Sequence, residues 1–237
     1  MTNTPPYKPS LVDPRFAGVY HGHNPGLESL IPPAAKYALD VGCGQGGMAA
    51  WLSRKGLTVD AISWNAQELE VAKNYCRSVM SSDLNCGVPQ LDNDTYDLII
   101  CSHILEHIAY PQALLCDLYR VLQVRGHLLV AIPNLFFWVD RLKLLRGEWN
   151  YQPSGTFDYT HVRWYTRDSL VKLLTQHGFV LSHFVADGWI PLPGLRFCIG
   201  RNCRAHLNRI FCRMFPGMFG QQLLFCFRKT AVSCRRK

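Results

Sequence analysis

The chain has 237 residues, 48% of them hydrophobic and 18% charged: enough apolar material for one sizeable core, and too much for a disordered polymer. Its formal charge is +8, but residues 196–237 hold 10 Lys or Arg and no Asp or Glu, so the remaining 15 basic and 17 acidic residues come to −2. A nucleic-acid footprint over the whole surface is disfavoured, and an anionic partner is expected only at the tail.

Ten cysteines without paired C-x-x-C motifs, in a long and core-rich chain, read as reduced thiols rather than as a disulfide framework or a zinc site. Residues 1–14 are polar and Pro-rich, with no apolar leader. The longest apolar run, Leu128 to Val139, is broken by Pro133 and Asn134 and falls short of the ~20 residues a bilayer requires. A soluble, cytoplasmic protein is expected.

Residues 1–33 read as an irregular arm with one short helix near Leu27, and residues 34–237 as a single domain. Tyr37 to Val41 is the first strand. Gly47 to Lys55 suits a helix that Gly56 stops, and Thr58 to Ser63 is the second strand. Leu69, Ala72 and Tyr75 give helical spacing over Ala66 to Cys76, and Ser78 to Ser82 is a third, weaker strand. Tyr96 to Ser102 is a buried strand. Pro111 opens a helix reaching about Leu122, which Gly126 breaks, and His127 to Ile132 is strand five. A helix is expected from Trp138 to Arg146, then an aromatic loop to Tyr165, together a lid or substrate insertion over 134–167. Asp168 to His177 is a helix capped by Asp168 or Thr166. Val180 to Ala186 and Gln222 to Phe227 are the last strands, separated by a basic amphipathic insertion over 196–217. In that insertion Cys203, Leu207, Ile210, Phe211 and Met214 are expected to pack on the domain; peripheral contact with an anionic membrane is the other reading. Strands alternating with helices argue for a parallel, doubly wound α/β sheet.

The first strand runs into Asp40-Val-Gly42-Cys43-Gly44-Gln-Gly46. Three glycines let the backbone turn sharply and approach a ligand, and the helix behind offers its free N–H groups. Asp40, inside the strand end, suits a cationic ligand group better than a pyrophosphate. S-adenosylmethionine carries an ammonium, a carboxylate and a sulfonium, so such a loop can serve it.

These features, with LDVGCGQG (Leu39 to Gly46), SSDL (Ser81 to Leu84), YDLIICSHILEHIAYP (Tyr96 to Pro111), IPN (Ile132 to Asn134), HVRWYT (His161 to Thr166) and LLTQHGF (Leu173 to Phe179), resemble the class I S-adenosylmethionine-dependent methyltransferases. The group that includes ubiquinone-biosynthesis O-methyltransferase-like and methionine-biosynthesis W-like proteins is the most similar. The resemblance covers about Ile31 to Gly188. It implies a Rossmann-like seven-stranded sheet, mostly parallel with the last strand antiparallel, and helices on both faces. It implies that Gly42, Cys43, Gly44 and Gly46 pack on the methionine part of the cofactor. Asp83 and Leu84 would flank its adenine, with Ser102 and His103 near the methyl group. The family's ribose-binding acid ends strand two; here Ser63 stands in that place and Asp60 falls inside the strand.

Methyl transfer needs alignment and exclusion of water, and a hydroxyl nucleophile gains from a base. His161 is the expected base, in a lid over the open sheet edge, with Asp158 placed to orient its ring and Arg163 to fix the lid; His103 is the next candidate. His103, Glu106 and His107 are spaced to approach one ion, but no obligatory metal is expected. The acceptor is read as a small or lipid-linked metabolite: a phenol, a quinone precursor or a sugar. A catalytically silent partner protein with the same fold is the alternative. Nucleic-acid methylation is disfavoured, since SHIL stands where an N/D-P-P-Y/W-like motif would be.

Overall fold

The computed structural model describes residues 23–191 and 200–231. Seven strands form one sheet in the order β3-β2-β1-β4-β5-β7-β6. β1 (Tyr37–Val41), β2 (Thr58–Ser63), β3 (Ser78–Ser81), β4 (Tyr96–Ser102) and β5 (Leu122–Pro133) pair in parallel. β7 (Gly220–Lys229) lies antiparallel between β5 and β6 (Phe179–Gly188). This is the expected sheet, with the last strand of the chain reversed.

The central strands alternate between two buried faces, as period-two side chains must. Ile99 and Cys101 of β4, with Leu128, Val130 and Ile132 of β5, join a core completed by α4 (Gln112–Val121) and α6 (Arg167–Gln176) through Leu114, Leu118, Leu170 and Leu174. Leu98 and Ile100, with Leu129 and Ala131, face α1 (Pro25–Glu28) and α2 (Gly47–Arg54) through Leu27, Met48 and Leu52. Helices thus cover both faces, which holds the carboxyl ends of β1, β2 and β4 at one edge.

The short helix expected near Leu27 is present: Asn24 caps α1 by accepting the Gly26 N–H, and Leu27 is fully buried; residues 1–22 of the arm lie outside the described residues. Three expectations change. α3 (Ala66–Ala72) stops before Cys76 and leaves Tyr75 43% exposed. β5 begins at Leu122, directly after α4, because Leu122 already pairs with Tyr96. Gly126 therefore serves a kinked strand: a Cβ there would meet Leu122 Cδ1 at 2.7 Å. The amphipathic helix α7 (Arg201–Met214) forms as expected, but only Cys212 is buried. Cys203, Ile210 and Met214 of the expected apolar stripe are exposed, since the helix meets β6 along one side only. Residues 196–199 of that insertion lie outside the described residues. Thr166, not Asp168, caps α6 in a reciprocal pair with Ser169.

β7 is an interior strand, so the basic C-terminal part belongs to the core. Leu223 to Phe227 are all buried and pair with β5 on one side and β6 on the other. Deleting residues 196–237 is expected to abolish cooperative thermal unfolding and cause aggregation, because it bares two strand edges and the core between them. A truncated chain with an intact melting transition would overturn this.

Candidate active site

The glycine loop folds as its composition demands. Gly42, Gly44 and Gly46 have φ of 74°, 52° and 81°, left-handed values that side chains resist. A Cβ on Gly42 would stand 1.9 Å from Ile104 Cδ1, and one on Gly46 3.0 Å from Ala72 of α3. The N–H groups of Gly42 and Cys43 donate to the Ile62 carbonyl at 2.8 and 3.0 Å, tying the loop to β2. Asp40 sits beneath it, 2% exposed. Burial raises its carboxyl to about 7, against the opposing pull of a hydrogen bond from the Ala49 N–H. Its Oδ2 has no hydrogen-bond partner among the described residues. A buried carboxyl short of a partner under a glycine loop fits a cationic ligand group. Burial, then the Asp40 charge, pushes the neighbouring Cys43 thiol up, so Cys43 acts as a small apolar wall.

Ser63 ends β2 almost wholly buried, and its hydroxyl is engaged. Oγ donates to Glu68 Oε2 at 2.7 Å and accepts the Asn65 N–H at 3.2 Å. Asp60 is committed elsewhere: Arg77 Nε donates to it at 3.0 Å, Arg77 Nη2 also bonds it, and the Tyr96 hydroxyl donates at 2.8 Å. Asp83 caps the 3₁₀ turn Leu84–Cys86, accepting from the backbone and side-chain nitrogens of Asn85 at 3.1 and 2.9 Å, and Leu84 is buried behind it.

At the end of β4, His103 has a left-handed φ of 56°, an uncommon and costly conformation for histidine. It is held by its own N–H, which donates to the Ala131 carbonyl at 2.9 Å. Its Nδ1 lies 3.2 Å from Glu106 Oε1 and its Nε2 3.1 Å from Gln222 Oε1. Gln222 Nε2 donates to Asp187 Oδ2 at 2.9 Å, which fixes the amide so that its oxygen faces His103. Asn24 closes the cluster, donating from Nδ2 to Ser102 Oγ at 3.2 Å and to Gln222 Oε1 at 2.9 Å. Burial works against charge on His103, but the Glu106 bond and charge, with Gln222, outweigh it and raise its pKa above the ordinary histidine value. Burial would raise Glu106, yet His103, and more weakly His107, hold it below the ordinary carboxylate value.

The aromatic loop does not stand off as a loose lid. The N–H groups of Val162 and Arg163 both donate to the Glu106 carbonyl. The ring of His161 is set by Thr156, whose carbonyl lies 3.0 Å from Nδ1, and not by the Asp158 carboxylate, which bonds Thr160 instead. A carbonyl only accepts, so Nδ1 carries hydrogen and Nε2 faces Glu106 Oε1 at 4.0 Å. Arg163 Nε donates to the Ala109 carbonyl at 2.6 Å and enters no ion pair among the described residues. Glu106 Oε1 is therefore approached by both His103 and His161, and His107 lies close to the same carboxylate. The ligand atoms of Glu106, His107 and His161 lie within 4.8 Å of one another, a different trio from the one spacing suggested.

The structure thus brings His103, Ser102 and the glycine loop to one edge and places His161 behind Glu106. Sequence reading missed Asn24, Glu68, Asp187 and Gln222. They carry no local motif, and Gln222 reaches His103 only because β7 inserts beside β5.

A family model described as "Methyltransferase domain" matches residues 24–183. "Ubiquinone biosynthesis O-methyltransferase" of Coxiella burnetii (strain Dugway 5J108-111) is 27% identical over 139 residues, covering 56% of this chain and 59% of the relative. The protein of the same description from Rickettsia prowazekii (strain Madrid E) is 26% identical over 169 residues, covering 69% of this chain and 63% of the relative. The match therefore spans about three fifths of these relatives. A crystal structure of a SAM-dependent methyltransferase from Archaeoglobus fulgidus is similar with a TM-score of 0.63 at 18% identity, over 86% of this chain and 91% of that one. One from Mesorhizobium loti gives 0.58 at 17% identity, over 86% and 96%. The chain belongs to the methyltransferase-domain family and has the fold of the class I S-adenosylmethionine-dependent methyltransferases.

Proposed function

We propose that this chain transfers a methyl group from S-adenosylmethionine to an oxygen of a small or lipid-linked hydroxylated acceptor: a phenol, a quinone precursor or a sugar. The observation that carries the reading is His103, 37% exposed at the β4 edge, strained, and bonded through Nδ1 to a buried carboxylate. Its Nε2 faces Gln222 Oε1 at 3.1 Å, so an incoming hydroxyl must displace that amide before Nε2 can take its proton. When bound, S-adenosylmethionine supplies an electrophilic methyl group. Asp40 would meet the cofactor's positive end, the glycine loop would admit it, and His103, released from Gln222, would take the proton from the acceptor oxygen. Oxygen as the acceptor atom is further supported by the O-methyltransferase relatives. Ile210, Met214, Phe215 and Met218, exposed beside Arg209 and Arg213, support presentation of a lipid-linked acceptor at an anionic membrane surface.

The test is transfer of labelled methyl to a panel of phenols, dihydroxybenzoates, quinols and sugars, each free and in anionic vesicles. Product carrying label on oxygen supports the reading; label only on nitrogen or carbon overturns it. No obligatory metal is part of the proposal, because His103 already balances the charge of Glu106. Transfer is expected to survive dialysis against a chelator; a loss that magnesium or zinc restores would make Glu106, His107 and His161 ligands.

Asp40 gives a pH signature. Its free carboxyl titrates at about 7, and a bound ammonium favours the ionised form. Below pH 7, binding S-adenosylmethionine is then expected to release a proton, and affinity to rise with pH until about 7. Calorimetry at pH 6 in buffers of different ionisation enthalpy measures the release. Asp40→Asn is expected to weaken binding and remove the proton release; a wild-type protein that releases none would separate Asp40 from the cofactor.

A further inference from the structure

We infer that Gln222 Oε1 occupies the place of the acceptor oxygen, and that Asn24 is the side chain that, together with His103, selects a hydroxyl there. The inference rests on the proposed transfer to oxygen with His103 as base, and it adds the second group that holds the acceptor.

Two donors meet at Oε1. His103 Nε2 lies 3.1 Å from it, and Asn24 Nδ2 donates to it at 2.9 Å. An oxygen placed there reaches both the base and one amide hydrogen. Each donor is aimed by bonds that do not involve Gln222. Asn24 Oδ1 accepts the Gly26 N–H at 3.1 Å as the cap of α1, so Nδ2 faces the other way. The second hydrogen of Nδ2 goes to Ser102 Oγ at 3.2 Å. His103 is anchored through Nδ1 to Glu106. The pair therefore keeps its aim when the amide leaves.

Gln222 has a place to go. It is half-buried, and Asp187 is its direct partner across the pairing of β6 and β7. Asp187 Oδ2 accepts from Gln222 Nε2 at 2.9 Å, and a longer bond of 3.3 Å runs from the same nitrogen to Asn24 Oδ1. Asp187 is exposed, so it can retain the amide nitrogen while the oxygen swings out of the site. A neutral His103, with its Nδ1 hydrogen held by Glu106, turns a lone pair toward Oε1 and loosens its hold on the amide. Gln222 is thus a positioning residue: it keeps the site formed and yields it to the acceptor.

The chemistry of this point favours oxygen over nitrogen. A hydroxyl has one hydrogen and two lone pairs. Its hydrogen faces His103 Nε2, one lone pair accepts from Asn24, and the other is left for the methyl carbon. As the oxygen–carbon bond forms, the carbon–sulfur pair leaves with sulfur and the proton passes to Nε2. A primary amine has a single lone pair, which the methyl carbon requires. It would set an N–H against the Asn24 N–H and leave that donor unsatisfied, which is worse than lacking the bond.

Two variants of the full chain test the two roles. Asn24→Ser keeps a side-chain oxygen to cap α1 but loses the amide hydrogen. The panel compound that takes label fastest is compared with its analogue carrying –NH2 in place of the methylated hydroxyl. Wild type is expected to prefer the hydroxyl, and Asn24→Ser to lower that preference by roughly 3- to 10-fold, the scale of one neutral hydrogen bond. Gln222→Ala is read by calorimetry of the same panel with S-adenosylhomocysteine saturating, so that no turnover intervenes. It is expected to bind hydroxyl compounds roughly 3- to 10-fold more tightly than wild type, because no amide has to be displaced. Gln222→Ser takes its place if Gln222→Ala unfolds. An unchanged preference in folded Asn24→Ser overturns the role of Asn24. Hydroxyl compounds that bind the Gln222 variant no better than wild type, or bind neither protein, overturn the displacement. A wild type that places label only on nitrogen overturns the underlying oxygen reading instead.

Discussion

Gly44→Val is expected to reduce S-adenosylmethionine affinity by ~100-fold or more while leaving a folded protein. Gly44 lies between the two glycines that the fold itself requires, with φ of 52°. A left-handed conformation costs a residue with a side chain ~1–2 kcal/mol, and β-branched valine more. The loop relieves that strain by moving, and a loop that moves no longer matches the ligand. Gly42 and Gly46 are poorer sites for the test, because a side chain there would enter Ile104 or press on Ala72 and strike the core first. Gly44→Asn separates the two costs, since asparagine tolerates the left-handed region. If Asn binds weakly as well, bulk at the ligand face is the cause; if Asn binds normally, backbone strain is. Calorimetry with a thermal melt as the folding check decides it. Unchanged affinity in folded Gly44→Val would remove the loop from the cofactor site.

The sheet was legible because its cause is local. β1, β2 and β4 occupy the ranges read from apolar runs, and each is bounded by glycine, asparagine or aspartate chemistry. α7 was legible as a helix but not in its seating. A helical wheel reports which residues share a face, not whether a neighbour covers it, so Ile210 and Met214 remain exposed. The short helix near Leu27 was legible too, but not its seating, because the burial of Leu27 depends on Leu129, Leu224 and others far along the chain. At the site, the glycine loop and Asp40 form one contiguous motif and could be found in sequence. The surroundings of His103 could not. Asn24, Gln222 and Asp187 converge from both ends of the chain only through the reversal of β7. Ser63 stands out in the sequence, but its hydrogen bond to Glu68 on the next helix does not.

Glu106 explains why the histidines must be considered together. It is 1% exposed, and its Oε2 has no hydrogen-bond partner among the described residues. Such a group is costly unless neighbouring positive charge compensates. His103 supplies the shortest contact, His161 approaches to 4.0 Å, and burial keeps His107 below its ordinary pKa. One buried carboxylate thus orients the exposed histidine and is itself backed by two others.

His103→Gln is accordingly expected to lower the rate of methyl transfer by about 10²–10⁴-fold, the usual contribution of a general base, with S-adenosylmethionine affinity little changed. Glutamine keeps a hydrogen-bonding side chain but cannot take up the acceptor's proton at neutral pH. The pH profile supplies the readout that a structural role would not move. His103 has a raised pKa, so it is protonated and inactive at low pH. With S-adenosylmethionine saturating at every pH, so that the Asp40 effect on affinity drops out, the wild-type rate is then expected to rise with pH through a limb above the ordinary histidine value of ~6.5, and His103→Gln to lose that limb. Glu106→Gln removes the charge that raises His103, so the limb should shift to lower pH while the maximum rate also falls. His161→Gln discriminates between the two bases. If His103 takes the proton, His161→Gln keeps the acid limb and loses far less rate, because the His161 side chain is 5% exposed and that of His103 37%. If instead His161→Gln removes the limb and His103→Gln does not, the loop histidine is the base. That outcome would require the 5% exposed His161 side chain to turn outward when the acceptor binds.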